Sequence, residues 1–181
     1  MAHVFLSGNL ALDLAGTLKW RGSTAEELLR APQDLDDWFT QAGLLDKAPA
    51  SDEQDLAAAR RLREAVYQLS LARLQGLPLP RAARTTVNQA AAAPPVGAVL
   101  TAGGLRRSGD AAAALSVVAR AALELFGAQR DALVKQCGRE ACTRVYIDRS
   151  RGGRRTWCGM AECGDRVKAA NYRRRKRTAT S

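Results

Sequence analysis

The chain has 181 residues and a mass of 19.4 kDa, which is the size of one ordinary domain or of a domain with a small appended module. Hydrophobic residues make up 46% and charged residues 25%, a composition that excludes a wholly disordered or fibrous chain. No run of about eighteen uncharged apolar residues occurs, and the first residues lack the basic region and cleavage site of a secretory signal. We therefore expect a cytoplasmic protein with no membrane partner.

The formal net charge is +10, and the whole excess lies at one end of the chain. Residues 1–134 contain equal numbers of basic and acidic side chains, so residues 135–181 carry all of the excess. A basic segment attached to a neutral one is expected where one part of a protein meets a polyanion and the other part has a different task. A solvated tail is the alternative, and it stays open for residues 173–181.

Helical patterns dominate the first half of the neutral part. The alternating leucines of residues 10–14 suit either a strand or the inner face of a helix, and we favour a helix. Short helices are predicted over residues 24–30 and 34–43. The clearest helix runs from a capping-box pattern at Ser51 to Gly76, because apolar residues recur at helical spacing between them.

The second half of the neutral part contains two further helices. A short helix is predicted over residues 80–92 and ends at a proline pair, and a long helix is predicted over residues 110–135. Between them, residues 96–101 suit one short strand before a glycine turn. These patterns predict a mainly α protein whose helical domain, residues 1–134, holds at most a short β element.

All four cysteines lie close together near the end of the chain, with the spacing C-x4-C-x15-C-x4-C. They are Cys137, Cys142, Cys158 and Cys163. Two close pairs joined by a linker are typical of a structural zinc site, because each pair supplies two thiolates from one loop. A redox or disulfide role is the competing use, and a cytoplasmic setting disfavours it. Four sulfur ligands leave no open coordination position, so we expect Zn²⁺ to hold structure and not to activate water.

The residues around the cysteines predict a small zinc-binding fold over residues 135–181. A β-prone run at 144–148, a glycine turn and a returning segment at 156–158 predict a β-hairpin. From Ala161 onward the residues favour a helix that carries the last ligand in its first turn. Knuckle, hairpin and helix together make a treble-clef-like zinc finger. Such a segment buries too little apolar surface to fold alone, and metal binding supplies about 10 kcal/mol.

Basic side chains are concentrated on the predicted hairpin and helix. A basic helix on a rigid zinc base can enter the major groove of duplex DNA, and the arginines of the hairpin can add backbone contacts. The candidate nucleic-acid contacts are Arg151, Arg154, Arg155, Arg166, Lys168, Arg173, Arg174 and Arg177. Arginine donors can instead stabilise zinc-bound thiolates, and this role is equally open for Arg139, Arg144 and Arg166.

The segment R-R-T-W-C-G-M-A-E-C-G-D-R-V-K at residues 154–168 resembles the CGNR zinc finger. The name motif of that family stands here as Cys163-Gly164-Asp165-Arg166, and both cysteine pairs and the W-C-x-M beginning at Trp157 occupy the family's positions. The chain has Asp165 where the family usually has Asn, and Gly159 where Ser is common. An aspartate keeps the helix-capping side chain but lacks the amide donor.

The neutral part is similar to the ABATE domain, described as a predicted stress-induced transcription regulator. The similarity rests on L-A-L-D-L-A-G-T at residues 10–17, L-R-E-A-V at 62–66 and V-N-Q-A-A-A-A-P-P at 87–95. Gly16 stands where that family has Asn. Together the two resemblances imply a bacterial transcription regulator with a helical sensing or dimerising domain and a zinc-based DNA-binding end.

The family pattern also makes a few residues of the neutral part candidates for a small-molecule effector pocket. They are Asp13, Thr17 and Arg21, which share one face if this segment is helical. The alternative is an internal network of caps and salt bridges that orders the chain start. The aromatic residues Trp20, Trp38 and Phe39 are expected to anchor the core, with a ligand cage as the alternative.

The predicted function is that of a zinc-finger DNA-binding regulator. A homodimer is expected, because one small finger reads few base pairs and two-fold symmetry lengthens the site. An RNA- or ribosome-associated zinc module and a protein-interaction adaptor remain alternatives. An enzyme is not expected, because no nucleophile with its base, no carboxylate pair and no phosphate-binding glycine loop stands out in the sequence.

Overall fold

Helices form most of the regular structure in the computed structural model, which describes residues 2–22, 24–128 and 133–178. The helices are α1 (Leu10–Ala15), α2 (Pro32–Gln41), α3 (Glu53–Gln75), α4 (Arg81–Ala92), α5 (Ala111–Gly127) and α6 (Asp165–Thr178), with a π-helical turn, Met160–Gly164, before α6. The strands are β1 (Leu18–Lys19), β2 (Glu26–Glu27), β3 (Gly97–Thr101), β4 (Gly104–Ser108), β5 (Val134–Gln136) and β6 (Val145–Ile147). The mainly α fold is confirmed.

An aliphatic core lies among α1, α2, α3, α4 and α5, which together form the helical body of the protein. Leucines, valines and alanines supply most of the core, and α2 adds the fully buried rings of Trp38 and Phe39. The ring of Phe5 packs against Trp38 with 5.8 Å between centroids. Helices over 10–14, 34–43, 51–76 and 80–92 were predicted, and α1 to α4 confirm them, apart from shifts at their ends. In the described ranges no helix is long and apolar enough to cross a membrane.

Helix α3 begins one residue later than the sequence pattern predicts. Its N-cap is Asp52, whose carboxylate accepts hydrogen bonds from the backbone N–H groups of Gln54 and Asp55 at 2.8 and 2.9 Å. The Ser51 hydroxyl instead donates to Asp36 of α2 at 2.6 Å. Both residues are good caps, so the tertiary contact with Asp36 decides which of them is used.

Residues 24–30 were predicted to form a helix, but the structure has no helix there. Glu26–Glu27 forms β2, which pairs antiparallel with β1. The Glu27 carboxylate accepts a hydrogen bond from the backbone of Leu29 and forms an ion pair with Arg63 of α3 at 2.6 Å. The Glu27 carboxylate therefore ties this segment to α3 in an extended form, and this contact between distant residues overrides the local helical tendency.

The long helix predicted over residues 110–135 is shorter than expected. Helix α5 ends at Gly127, and Lys135 lies in strand β5. The part of the prediction over residues 129–132 falls outside the described residues. The start of the helix is confirmed, because the Asp110 carboxylate caps it by accepting from Ala113 N at 2.8 Å.

The strand predicted over residues 96–101 is confirmed as β3, but it has a partner that the sequence pattern missed. A two-residue turn, Ala102-Gly103, joins β3 to β4, and the two strands form a hairpin whose side chains are mostly exposed. The body thus holds two small antiparallel pairs where at most one short β element was expected. Neither pair joins the other, so the fold stays mainly helical.

Strand β6 connects the helical body with the cysteine-rich end. Its side chains alternate: Val145 and Ile147 are buried in the core of the body, whereas Tyr146 is buried among the cysteines. The partner of β6 is β5. The predicted pairing of residues 144–148 with 156–158 is therefore wrong.

Candidate metal centre and nucleic-acid interface

The four cysteine sulfurs form one buried cluster. The Sγ atoms of Cys137, Cys142, Cys158 and Cys163 all lie within 4.8 Å of one another, and the structure pairs none of them in a disulfide. The Sγ–Sγ distances are 3.9 Å from Cys142 to Cys158 and 3.6 Å from Cys158 to Cys163. A tetrahedral Zn²⁺ with Zn–S bonds of about 2.3 Å needs sulfurs about 3.8 Å apart, so the cluster fits this ion.

Short loops place the first and third ligands. Cys137 follows β5, and its N–H donates to the Arg144 carbonyl at 3.0 Å, which closes the knuckle that carries the first cysteine pair. The next residue, Gly138, donates to the Thr156 carbonyl at 2.8 Å and so ties this knuckle to the loop before Cys158. A Cβ at Gly138 would lie 2.9 Å from the Thr156 side chain, so the two loops can approach this closely only because a glycine is present.

The π-helical turn places the fourth ligand. Both Cys163 N and Gly164 N donate to the Gly159 carbonyl, at 3.1 and 3.0 Å. A Cβ at Gly164 would come within 2.6 Å of the Met160 sulfur, so the turn closes tightly against this side chain. Helix α6 begins at the next residue, and the last ligand therefore fixes the start of α6 to the metal centre.

The four thiol groups interact strongly with one another. Hydrogen bonds from Cys142 and Cys158 hold the pKa of the Cys137 thiol far below its usual range. The same contact with Cys137 raises the pKa of Cys142 to about 11, with burial as a further cause. One thiol of this cluster therefore loses its proton readily, and the resulting negative charge opposes deprotonation of a second thiol. A divalent cation removes this repulsion between thiolates.

Arg155 supports the loop that carries Cys158 through hydrogen bonds to its backbone. Its guanidinium donates to the carbonyl oxygens of Trp157, Leu6 and Cys158, and it stacks on the Tyr146 ring at 4.3 Å. The Tyr146 hydroxyl in turn donates to the Arg155 carbonyl at 2.8 Å, and burial raises the pKa of Tyr146 to about 12. Arg155 was predicted to contact nucleic acid, but its donors are used inside the protein, and we remove it from that set.

Asp148 organises the loop that follows β6. Its buried carboxylate accepts hydrogen bonds from Lys135 Nζ, from the backbone and hydroxyl of Ser150 and from Arg155 N, at 2.6 to 3.0 Å. The Lys135 ammonium and the Ser150 hydroxyl hold the pKa of Asp148 well below its usual range. The loop is thereby closed, and the side chains of Arg151 and Arg154 stay exposed at its tip.

The three arginines next to the ligands have three different environments. Arg139 Nη1 lies 3.9 Å from Cys163 Sγ, so it donates to a ligand sulfur, as the outer-shell role predicts. Arg144 is buried and donates to the Val4 carbonyl at 3.2 Å, which connects the cysteine loops to the chain start. Arg166 is exposed at the first turn of α6, where it lines the same groove as Arg139.

Helix α6 extends from the metal centre with its described side chains largely exposed. Among them are Arg166, Lys168 and Arg173, while Tyr172 is 68% exposed. The predicted contacts Arg174 and Arg177 lie on α6, but their side chains fall outside the described residues. An open groove of about 930 Å³ runs beside the helix, and Arg139, Arg166 and Arg173 line it.

Comparison with known families agrees with this geometry. A family model named ABATE, with the description "Putative stress-induced transcription regulator", matches residues 8–129, and the CGNR zinc finger model matches residues 134–176. The chain belongs to the ABATE family. Its four clustered cysteines form the zinc site of the CGNR finger. A search of curated proteins found no match.

The side chains predicted to form an effector pocket in the ABATE domain instead make hydrogen bonds, an ion pair and a ring contact with other parts of the protein. The Asp13 carboxylate accepts from Ser7 N at 2.8 Å, and burial raises its pKa. The Thr17 hydroxyl donates to Leu14 O at 2.7 Å. Arg21 pairs with Glu64, donates to the Ala15 carbonyl and stacks on a tyrosine ring. These contacts match the internal network that was the alternative to an effector pocket.

The junction between the ABATE domain and the CGNR finger was not predicted. Residues 4–8, the N-terminal strap, run beside β6, and Ile147 N donates to Ser7 O at 2.8 Å. Arg149 donates to the Gly8 carbonyl at 3.0 Å, beside the bonds of Arg144 and Arg155 to Val4 and Leu6. Trp20 was expected in the core but is half-buried at this junction, where it lines a cavity together with three of the four ligand cysteines. Only the alternating pattern of residues 145–147 hinted that the finger packs on the body.

Proposed function

We propose that this ABATE protein is a DNA-binding transcription regulator whose CGNR finger contacts duplex DNA through α6. The observation that carries the proposal is a basic helix, exposed on its described sides, whose first residue directly follows a turn fixed by the zinc ligand Cys163. A helix with side chains is about 10–12 Å wide, and the major groove of B-DNA is about 12 Å wide. The excess charge of residues 135–181 supplies the attraction to phosphate.

The proposed contacts fall into two groups. Arg166, Lys168 and Arg173 lie along the exposed part of α6 and approach the groove or its flanking phosphates. Arg151 and Arg154, at the tip of the loop after β6, contact backbone phosphates, which position the finger without reading sequence. Because the Asp148 carboxylate accepts hydrogen bonds from Ser150 N and Arg155 N, the backbone of the loop that carries these two side chains is held closed.

The ABATE domain is proposed to sense or to dimerise, and the proposal includes no enzymatic activity. Zinc bound by four thiolates has no open coordination position, so its role is to fix the finger loops and the start of α6. Arg139 supports that role because it donates to a ligand sulfur. Residues Arg144 and Arg155 fasten the finger to the chain start, so a change in the ABATE domain can reach the DNA-binding end through this junction.

The proposal is tested by fluorescence anisotropy of the zinc-loaded full chain with duplex DNA enriched by in vitro selection. Affinity is expected to fall steeply with salt, with a log–log slope of about −0.9 for each phosphate contacted. The double variant Lys168→Ala/Arg173→Ala is expected to reduce the slope by about 1.8. Arg81→Ala, at an exposed position on α4, is the matched control and should leave the slope unchanged.

Three results would overturn the proposal. Tighter binding of structured RNA than of duplex DNA, in direct competition, would assign the finger to RNA. Negligible affinity for both nucleic acids at low salt would favour a protein-interaction adaptor. Equal slopes for the double variant and the Arg81→Ala control would show that α6 is not the element in contact.

A further inference from the structure

The β3–β4 hairpin exposes apolar side chains that the helical body does not cover. Val99 is 61% exposed, Leu100 84% and Leu105 47%. In the register of the hairpin, Leu100 lies opposite Leu105 and Ala98 lies opposite Arg107. Residues directly opposite each other share a face, so Ala98, Leu100 and Leu105 form one apolar patch on one side of the hairpin.

The two edges of this hairpin differ. On the β4 edge, Arg107 N donates to the Asp46 carboxylate at 3.0 Å and Asp46 N donates to the Arg107 carbonyl at 3.2 Å. A loop of the body therefore covers this edge, and the Asp46 carboxylate also lies 3.9 Å from Arg106 Nη1. Both basic residues of β4 are thus close to an acidic partner.

The β3 edge is open. Because Arg107 directs its backbone groups to Asp46, the Ala98–Arg107 pair is one of the non-hydrogen-bonded pairs of the ladder. The backbone N–H and C=O groups of Ala98 and Leu100 consequently point away from β4. Across residues 2–22, 24–128 and 133–178, no other group bonds to them. Native proteins usually protect such edges with charge, proline or a covering loop, and β3, with the sequence G-A-V-L-T, has neither charge nor proline.

We propose that this edge is a dimer interface, in which β3 pairs antiparallel with β3 of a second copy of the chain about a two-fold axis at Val99. In that register Ala98 of one protomer exchanges hydrogen bonds with Leu100 of the other, and the reverse, so all four outward groups of each strand are used. The two hairpins then form one four-stranded sheet. A two-fold axis makes the same short segment complementary to itself.

Charge and side-chain placement favour a second copy as the occupant. The paired β3 strands bring no like charges together, because neither contains an ionisable residue. The Arg107 residues lie on the outer strands, at least three strand spacings or about 14 Å apart, which exceeds the screening length at physiological salt. The apolar patch of Ala98, Leu100 and Leu105 joins the matching patch of the partner on the same side of the sheet.

Cysteine cross-linking tests the register directly. At the two-fold axis the Val99 Cα atoms of the two copies would lie about 4.5 Å apart, within the range that a disulfide spans. Val99→Cys in the zinc-loaded full chain is therefore expected to give a covalent dimer of twice 19.4 kDa under mild oxidation, seen on a non-reducing gel. Leu105→Cys is the matched control, because the two copies of residue 105 would lie on the outer strands, at least about 14 Å apart, and this distance should prevent cross-linking.

A second pair of variants tests the edge itself. Leu100→Pro removes an outward N–H from the β3 edge, and Leu105→Pro removes an outward N–H from the β4 edge, so neither disturbs the bonds within the hairpin. Sedimentation equilibrium should show a concentration-dependent dimer for the wild type and for Leu105→Pro, and a monomer for Leu100→Pro. Circular dichroism checks that all three proteins are equally folded.

Two outcomes would overturn the inference. The first is a wild-type chain that stays monomeric at high micromolar concentration, together with a Val99→Cys variant that cross-links no faster than Leu105→Cys. This outcome excludes a second copy as the partner of the β3 edge and leaves the edge to another protein. Dimers that persist equally in both proline variants place the interface elsewhere. Neither result depends on DNA, so a failure here is distinct from a failure of the proposed function.

Discussion

The ABATE domain and the CGNR finger reach stability by different routes. The helical body encloses a continuous aliphatic core drawn from five helices. The finger has a second cluster made of its four cysteines and Tyr146, with Trp157 packed against it. A core of that size buries too little apolar surface to hold the loops, so the metal replaces it. The comparison shows that a basic, polar segment can be rigid at its base without a hydrophobic interior.

The two regions are joined firmly on one side only. Strand β6 contributes Val145 and Ile147 to the core of the body, and Arg144 and Arg155 donate to carbonyls of the N-terminal strap. Helix α6, by contrast, is exposed along its described length. The finger is therefore anchored to the body through its strand, whereas its helix presents exposed side chains, and a docking element needs such a surface.

Zinc removal should produce the largest difference in stability between the two regions. A strong chelator, or Cys137→Ser, is expected to unfold the loops from Cys137 to Cys163, because about 10 kcal/mol of metal binding free energy is lost. The helices of the body should persist. Hydrogen exchange measures this, with protection lost at Cys158–Cys163 and retained in α3 and α5. Retained protection at Cys158–Cys163 after chelation would contradict a metal-dependent finger.

Two neighbouring arginines test the junction. Arg155→Ala is expected to destabilise the finger by about 1.5–3 kcal/mol, because it removes a charged donor from the carbonyls of Leu6 and Cys158. Arg154→Ala removes the same charge from an exposed position and should leave stability unchanged while weakening DNA binding. Zinc competition with a chromophoric chelator measures the first effect. Equal zinc affinity in the two variants would show that Arg155 does not support the metal centre.

The body has its own charge-dependent contact at the start of α2. The Arg30 guanidinium, with backbone N–H donors of Arg30 and Ala31, holds the pKa of Asp34 below its usual value. Because the folded pKa lies below the unfolded value, this stabilisation is present above about pH 4 and is lost as the pH falls through the folded pKa. Asp34→Asn should therefore cost about 1 kcal/mol at pH 7 and progressively less below pH 4.

Urea unfolding of the wild type and Asp34→Asn from pH 7 to pH 3, followed by helical circular dichroism, measures this difference. Zinc leaves both proteins at low pH, so its loss cancels in the comparison. A difference that stays constant over the whole range would mean that the Asp34 carboxylate does not stabilise α2 through its charge.

The smallest expected effect concerns Asp165 at the first position of α6. Asp165→Asn introduces the residue usual in the CGNR finger and removes a negative charge, which repels phosphate, from the proposed DNA-facing end. Duplex affinity is expected to rise a few-fold with unchanged thermal stability, as anisotropy and a melting curve would show. Weaker binding by this variant would indicate that the Asp165 carboxylate itself accepts a hydrogen bond from a base.

Local sequence signals predicted the elements that depend on near neighbours. Helices α3 and α4 follow apolar spacing and terminal residues, and the zinc site follows the cysteine spacing, because both are set within a few residues. Residues 24–30 could not be predicted in this way, since the ion pair of Glu27 with Arg63 joins positions that are far apart in the chain. The role of Arg155 was missed for the same reason, because its carbonyl partner Leu6 lies at the chain start.

The sequence alone determined that this chain would pair a helical domain with a basic four-cysteine zinc finger, because periodicity, composition and ligand spacing are local properties. The tertiary structure decided which arginines face solvent, which strand pairs with β6 and how the finger is fastened to the body. These features depend on contacts between residues that are far apart in the chain. An arginine that donates to a carbonyl oxygen and an arginine that faces solvent are the same residue type, so the sequence alone does not distinguish them.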